Sequence, residues 1–339
     1  MNKFIKFICI ICAALFALGV AAIGLGVLFG GKLYGYAFDL GSRKIYSSDD
    51  IVEKDVDIEA FDELYVDADI SDVFIRIGNE NKVSYRLPEE LTPEITQDEK
   101  KLSIISKKKK RTFDIMFGYI QNQYIIIEVS EKDLKNLNID LSSGDITIED
   151  IDIEGRLKTS SGDIYITGCE KGKDIDLKVS SGSIKVIDSN FENINQKQSS
   201  GDTNIENVEA SKVTMSQSSG TTKLDSLTTD SLEAKVSSGS FDMTNSTSKE
   251  AKITATSGDI DINKTSSDKL YLHVTSGDVD LDVKGKEEDF DYSINVTTGS
   301  VKLGDTSVKK KYEKDNGRDK SITVDVTSGD VNIGFVAAD

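Results

Sequence analysis

The sequence predicts an all-β protein whose main body is a parallel β-solenoid, and three observations carry that expectation. First, ten short tags of the Ser-Ser-Gly, Thr-Ser-Gly or Ser-Gly-Asp type run down the C-terminal two-thirds of the 339 residues. Their glycines are Gly144, Gly162, Gly182, Gly201, Gly220, Gly239, Gly258, Gly277, Gly299 and Gly329. The intervals are 18, 20, 19, 19, 19, 19, 19, 22 and 30 residues, the signature of an internal repeat. Second, apolar residues alternate on both sides of each tag, as in Leu137, Ile139 and Leu141 before Gly144 and Ile146 and Ile148 after it. A period of two marks a strand with one buried face. Third, the alternation changes parity at the glycine, so the chain must bend there if both apolar sets face one interior. Glycine and small hydroxyl residues suit that corner.

A unit of this size, read as two short strands and two corners, buries too little apolar surface to stand alone, so neighbouring units must stack. Residues 134–339 are therefore expected to form about ten rungs, which at about 4.8 Å each extend on the order of 45 Å. The competing expectation is an antiparallel β-sandwich of hairpins, with each tag a chain-reversing turn.

The N-terminal end bears on location. No charged residue occurs between Lys6 and Lys32, and Phe7 to Gly31 is 25 residues long, enough to span a bilayer as a helix. Lys3 and Lys6 precede it, which places the N-terminus in the cytoplasm and the rest outside. Residues 1–32 thus read as a cytoplasmic tip and a single-pass anchor in the cell membrane. A cleaved signal peptide is the rival reading, with Ala17, Gly19, Ala21 and Ala22 offering cleavage sites, but its apolar region would be only about 7 to 15 residues. Gly26 and Gly30 have helix-dimer spacing, and Cys9 and Cys12 lie inside the span as palmitoylation candidates.

Residues 33–57, with Tyr34, Tyr36 and Tyr46, lack periodicity and read as a juxtamembrane stalk. Residues 58–133 read as a β cap for the first edge of the stack, with strands at Leu64 to Ala68, Val73 to Ile77, Val83 to Leu87, Leu102 to Ser106 and Tyr124 to Val129. Outside the apolar stretch only Cys169 remains, so no intrachain disulfide supports the ectodomain. The formal net charge is -18, and leaving out Lys3 and Lys6 makes it -20 for residues 32–339. Such a surface repels nucleic acid and anionic polymers, and nucleic acid is excluded as a partner.

Phe61-Asp62-Glu63-Leu64-Tyr65-Val66, Ile70-Ser71-Asp72-Val73, Leu102-Ser103-Ile104, Ile125-Ile126-Ile127, Leu137-Asn138-Ile139 and the Ser-Gly-Asp tags follow one another in an order that resembles the bacterial putative-adhesin family of β-strand-repeat proteins, a domain of unknown function. The likeness covers residues 58–339. Members usually carry a proline in the strand ahead of the first tag, where this chain has Val129-Ser130-Glu131. The resemblance implies a membrane-anchored or secreted envelope protein, connected with adhesion or envelope stress, and supplies no active site.

Four groups of residues could carry chemistry. Asp145 with Asp163, and Asp259 with Asp278, follow tag glycines and should line up one rung apart. Paired carboxylates could share a Ca²⁺ ion or act as the acid and base of a glycan-cleaving enzyme. The plainer expectation is that they bond to nearby backbone N–H groups at solvent-facing turns. Gln196, Gln198 and Gln217 stand where other rungs carry aliphatics, with Thr203 and Thr222 after the tags, and amides stacked along the axis and bonded to one another are the ordinary reading. Lys107, Lys108, Lys109, Lys110 and Arg111, followed by Phe113 and Phe117, make the best binding candidate, fit for anionic wall polymer or lipid headgroups; the bland reading is a solvated hairpin tip. His273 falls out of phase with the core, and Lys309 to Lys320 reads as a projecting loop.

Three function classes follow: a non-catalytic adhesin or surface scaffold whose partner is wall polymer or a host surface, a regulatory ectodomain that acts through an envelope-stress membrane protein, and, last, a glycan-active enzyme.

Overall fold

The computed structural model describes residues 12, 15–22, 25, 36–39, 44–47, 51–108, 114–117 and 123–337. Two compact units are formed: one from Met1–Glu53, Arg86–Thr92 and Lys108–Gln123, the other from Lys54–Tyr85, Pro93–Lys107 and Tyr124–Asp339.

In the first unit, strand Tyr36–Asp39 pairs antiparallel with Lys44–Ser47 on one side and with Asp114–Phe117 on the other. The expected stalk therefore contains strands. Its Tyr-rich sequence has the β-propensity for them, but strands this short display too few alternations to reveal a period. The expected span at 7–31 lies mostly outside the described residues; 15–22 are helical, with Leu15, Phe16, Leu18 and Val20 exposed. No helix among the described residues is long and apolar enough to cross a membrane.

The second unit is a stack of coils whose strands pair in parallel from one coil to the next. The strand before each tag pairs with the strand before the next: Leu157 lies beside Leu177, Leu177 beside Gln196, and Gln196 beside Met215. The tag does not reverse the chain, so the antiparallel sandwich is excluded for this unit. Each tag glycine instead stacks on another, with Gly162 N–H donating to Ser181 O at 3.0 Å and Gly258 N–H to Ser276 O at 3.0 Å. Gly220 shows why no other residue serves. Its φ is +115°, and a Cβ there would stand within 3.0 Å of the Gly201 carbonyl of the preceding coil. The corner thus needs glycine for close approach as well as for φ.

Each regular coil has three strand segments and not the expected two. The continuous strands Ile184–Ser200, Thr203–Ser219 and Thr222–Ser238 pair along their lengths but lapse at Asp188/Asn207/Ser226 and again at Glu192/Ser211/Asp230. The first lapse is a left-handed corner six residues after the tag. There Asp150, Asp188, Asn207, Ser226, Asn245 and Lys264 all have φ between +47° and +59°. Asn and Asp tolerate that conformation better than most side chains. The third segment turns two more residues inward, such as Ile151 and Ile153, Val208 and Ala210, or Ser246 and Ser248, all buried.

The stack also reaches beyond the ten tags. Glu63–Ile70 pairs in parallel with Asp133–Ser143, and Asp72–Ile77 with Ile146–Glu149, so residues 63–77 form a further coil with Ser71 facing Gly144. Lys101–Ser106 and Tyr124–Val129 then pair in parallel with the far side of that coil. The strands Glu63–Ile70, Asp72–Ile77, Lys101–Ser106 and Tyr124–Val129 thus continue the parallel pairing of the repeat. At the other end the order departs from the sequence. Lys320–Ser328 lies between Ile260–Ser276 and Phe290–Thr298, which places the coil of Gly329 between those of Gly277 and Gly299. The segment expected to project as a loop carries Lys311–Lys314, paired antiparallel with Phe290–Thr298.

Candidate functional site

The carboxylates that follow the tags form a ladder with the backbone. Asp145 Oδ1 accepts from Asp163 N–H at 2.8 Å, Asp163 Oδ1 from Ser183 N–H at 2.6 Å, Asp259 Oδ1 from Asp278 N–H at 2.9 Å, and Asp278 Oδ1 from Asp330 N–H at 2.7 Å. Asp72, in the added coil, does the same for Asp145 N–H at 3.0 Å. Asp72 is partly desolvated, which raises its pKa despite that bond. One oxygen of each carboxylate is thereby committed to the next coil, the plainer of the expected roles. Among the described residues, no three or more His, Cys, Asp and Glu side chains converge as metal ligands do.

The glutamines are bonded across the tag corner and not to one another along the axis. Thr222 Oγ1 donates to Gln217 Oε1 at 2.6 Å, while Gln217 Nε2 donates to Gly201 O at 2.8 Å. Gln198 repeats this with Thr203 and with the Gly182 carbonyl, and Gln196 Nε2 reaches Gln198 Oε1 at 3.0 Å. The corner brings the side chain three before the glycine against the one two after it. A Gln in one position therefore requires a hydroxyl in the other, since buried amides must be satisfied.

Of the basic run, Lys107 Nζ is ion-paired with Asp67 at 2.6 Å, which raises its pKa, and Lys108 pairs with Glu90 at 3.3 Å. Lys109, Lys110, Arg111 and Phe113 lie outside the described residues; Phe117 ends the strand Asp114–Phe117. His273 is exposed and faces Asp325 at 3.4 Å. Cys169 is buried, which pushes its thiol up to about 11.

A groove of about 490 Å³ runs over the strands after the last tags, lined by Asp261, Asp280, Asp282, Asn332 and Lys302. Gly304 and Gly334 also line it, and the Asp282 carboxylate lies where a side chain at 334 would stand. Partial burial, then the charges of Asp242, Asp280 and Asp282, raise the Asp261 pKa. The signal was present as aspartates three after successive tags, but the coil order that brings Asn332 beside Asp280 was not.

Among family profiles, one matches twice in succession, over residues 61–173 and 164–334. The chain belongs to the Toastrack DUF4097 family. The first match begins at Phe61, two residues before the strand Glu63–Ile70. Among solved structures, a putative adhesin of Bacteroides fragilis is similar at 15% identity, over 67% of this chain and 96% of its own, with a TM-score of 0.38. A putative lipid binding protein of Parabacteroides distasonis matches at 16% identity, 85% and 97% coverage and a TM-score of 0.36. A putative adhesin of Parabacteroides merdae matches at 12%, over 84% and 95%, with a TM-score of 0.33. No curated protein matches.

Proposed function

We propose that this Toastrack protein is a non-catalytic surface protein of the bacterial cell envelope, held in the membrane by residues 7–31, with its stack outside the cell as an adhesin or scaffold. The observation that carries the reading is the use made of the reactive side chains. Asp145, Asp163, Asp259 and Asp278 each spend a carboxylate oxygen on the backbone of the next coil, and Gln198 and Gln217 are bonded to Thr203 and Thr222. Groups tied in this way hold coils together and are poorly placed to move protons. The exposed apolar side chains at 15–20 support an anchor, since a helix bare on that scale calls for lipid or protein cover.

The test is to express the full chain, separate membrane from soluble fractions and shave intact cells with protease. The stack should be membrane-bound and cleaved from outside. Purified chain should then bind wall polymer or a host-cell surface, with and without Ca²⁺, and lose part of that binding when Lys107 to Lys110 are neutralised. Recovery in the cytoplasmic fraction would refute the placement. Glycan hydrolysis that disappears in Asp259→Asn or Asp278→Asn would refute the non-catalytic reading.

A further inference from the structure

Asn316 and Gly317 form the one Asn-Gly pair in the sequence. They lie between the edge strand Lys311–Lys314 and the strand Lys320–Ser328 that is inserted into the stack. We propose that this pair is a self-modification site, at which the Gly317 nitrogen attacks the Asn316 side-chain amide and the resulting deamidation releases the loop from the outermost coil.

The geometry favours the attack in three ways. Gly317 has φ +67°, and nothing lies within 4 Å of where its Cβ would be, so the nucleophile's surroundings are open. Gly317 N–H donates to Asp315 Oδ1 at 2.8 Å, which puts an acceptor on the proton that the nucleophile must lose. On the other side, Asn316 Nδ2 donates to Phe290 O at 2.7 Å, which fixes the side-chain amide on the outermost coil and leaves its nitrogen hydrogen-bonded as it departs. In the reaction the Gly317 N–Cγ bond forms, its proton passes by way of Asp315 or water to the leaving nitrogen, and the Cγ–Nδ2 bond breaks to release ammonia. One water then opens the cyclic imide at either carbonyl and leaves aspartate or isoaspartate. No electrons are exchanged with any other reactant.

The product loses one native tie and strains the other. Asn316 fastens the loop to the outermost coil through Nδ2 to Phe290 O and through its N–H to Asp291 Oδ1 at 2.7 Å. A carboxylate at 316 has no N–H to offer the Phe290 carbonyl, and it would stand beside the Asp291 carboxylate. The isoaspartyl form also lengthens the main chain by a methylene. Arg318 Nε to Glu288 O at 2.9 Å, Arg318 N–H to Asp291 Oδ1 at 3.2 Å, the Lys314–Glu287 pair at 3.0 Å and the pairing of Lys311–Lys314 with Phe290–Thr298 would be left to hold the segment, so the release is confined to the loop around 315–319.

The experiment ages the purified full-length protein at mildly alkaline pH and follows peptides covering 311–320 by mass, isoaspartate formation and ammonia release. Position 316 should convert before any other asparagine, with ammonia in equal amount, and hydrogen exchange at 315–319 should rise in the converted fraction. Asp291→Ala should speed conversion and Asn316→Gln should stop it; if Asp291→Ala does not fold, the wild type and Asn316→Gln decide alone. Survival of Asn316 in the folded chain, while the urea-unfolded chain converts there, would overturn the site. Conversion with unchanged exchange at 315–319 would overturn the release.

Discussion

Replacing Gly220 with alanine is the sharpest test of the stacked corner. At φ +115° an L-residue is strained by about 1–3 kcal/mol. The added methyl would stand within 3.0 Å of the Gly201 carbonyl, so the coils must part locally. That movement strains the bond from Gly220 N–H to Ser238 O, 3.2 Å, and the bond from Gln217 Nε2 to Gly201 O, 2.8 Å. At about 1 kcal/mol each, they bring the expected cost to about 3–5 kcal/mol. Gly304→Ala is the control: φ is +55° and nothing lies within 4 Å, so only the left-handed cost of about 1–2 kcal/mol applies. Urea unfolding should separate the two variants, and hydrogen exchange over 201–238 should accelerate by roughly a hundredfold to several thousandfold in Gly220→Ala alone. Equal loss of stability in both, or unchanged exchange across 201–238, would refute the close approach of coil on coil.

Three further outcomes are expected. Thr222→Val should cost about 1–3 kcal/mol in thermal unfolding by leaving Gln217 Oε1 buried without its donor, and adding Gln217→Leu should recover much of that, a coupling that independent residues would not show. Asp261 has its pKa raised, first by burial and then by neighbouring carboxylates, so its ionised form opposes folding; Asp261→Asn should therefore be more stable than wild type at pH 7. The difference should shrink as pH falls through the folded-state pKa toward about 3.9, and high salt should weaken its coulombic part; a gap that widens on acidification would contradict this. Removing residues 320–339 should destabilise 290–303 as well, so limited proteolysis should cut near 285–320 and leave coils around 144–258 intact; resistance of 290–303 in the truncated chain would argue against the inserted coil.

The inward positions near each tag could be read from the sequence because they are aliphatic. Leu177, Val179, Ile184 and Val186 announce their face by contrast with the charged residues between them. The five strands expected between 64 and 129 match the observed Glu63–Ile70, Asp72–Ile77, Lys82–Pro88, Lys101–Ser106 and Tyr124–Val129 for the same reason. The third segment hid because several of its buried residues are polar. Ser248 Oγ donates to Ser267 Oγ at 2.9 Å, and Ser246 Oγ donates to Thr244 O at 2.8 Å while accepting from Leu227 N–H at 3.1 Å. Hydroxyls satisfied in this way can be buried without an apolar pattern. A recurring Asp, Asn or Ser six residues after the tag was nonetheless a legible mark of the left-handed corner. Among the candidate site residues, the aspartate ladder was legible as turn chemistry. The Gln–Thr pairing was not, because it depends on which side chains the corner folds together.

Coil order was the least legible feature, because near-identical tags can stack in any sequence; the ends show what discriminates among them. A parallel stack has two exposed edges, each a template for pairing with another chain. At one end the chain enters at residues 63–77, steps outward to 101–106 and 124–129, and returns over the first coil to 133–149. At the other it steps outward to 290–303 and returns to insert 320–336. Both outermost coils are thus internal in sequence, and each carries antiparallel strands on its outer edge: Glu94–Asp98 on Lys101–Ser106, Lys311–Lys314 on Phe290–Thr298, and Thr306–Val308 on Val301–Leu303. A coil with an antiparallel neighbour on one side can accept a parallel one only on the other, so the coil of Gly299 must be terminal and that of Gly329 must lie inside it. Side chains agree with this order. Asp325 sits between His273 at 3.4 Å and Asn295 Nδ2 at 3.1 Å, and Asn332 Nδ2 donates to Asp280 Oδ1 at 2.8 Å. With the coils in sequence order, Asn295 would stand beside His273, and Asp280 would face Lys302 in place of Asn332. The hairpins that follow Gly299, and not the tags, therefore fix where the repeat ends.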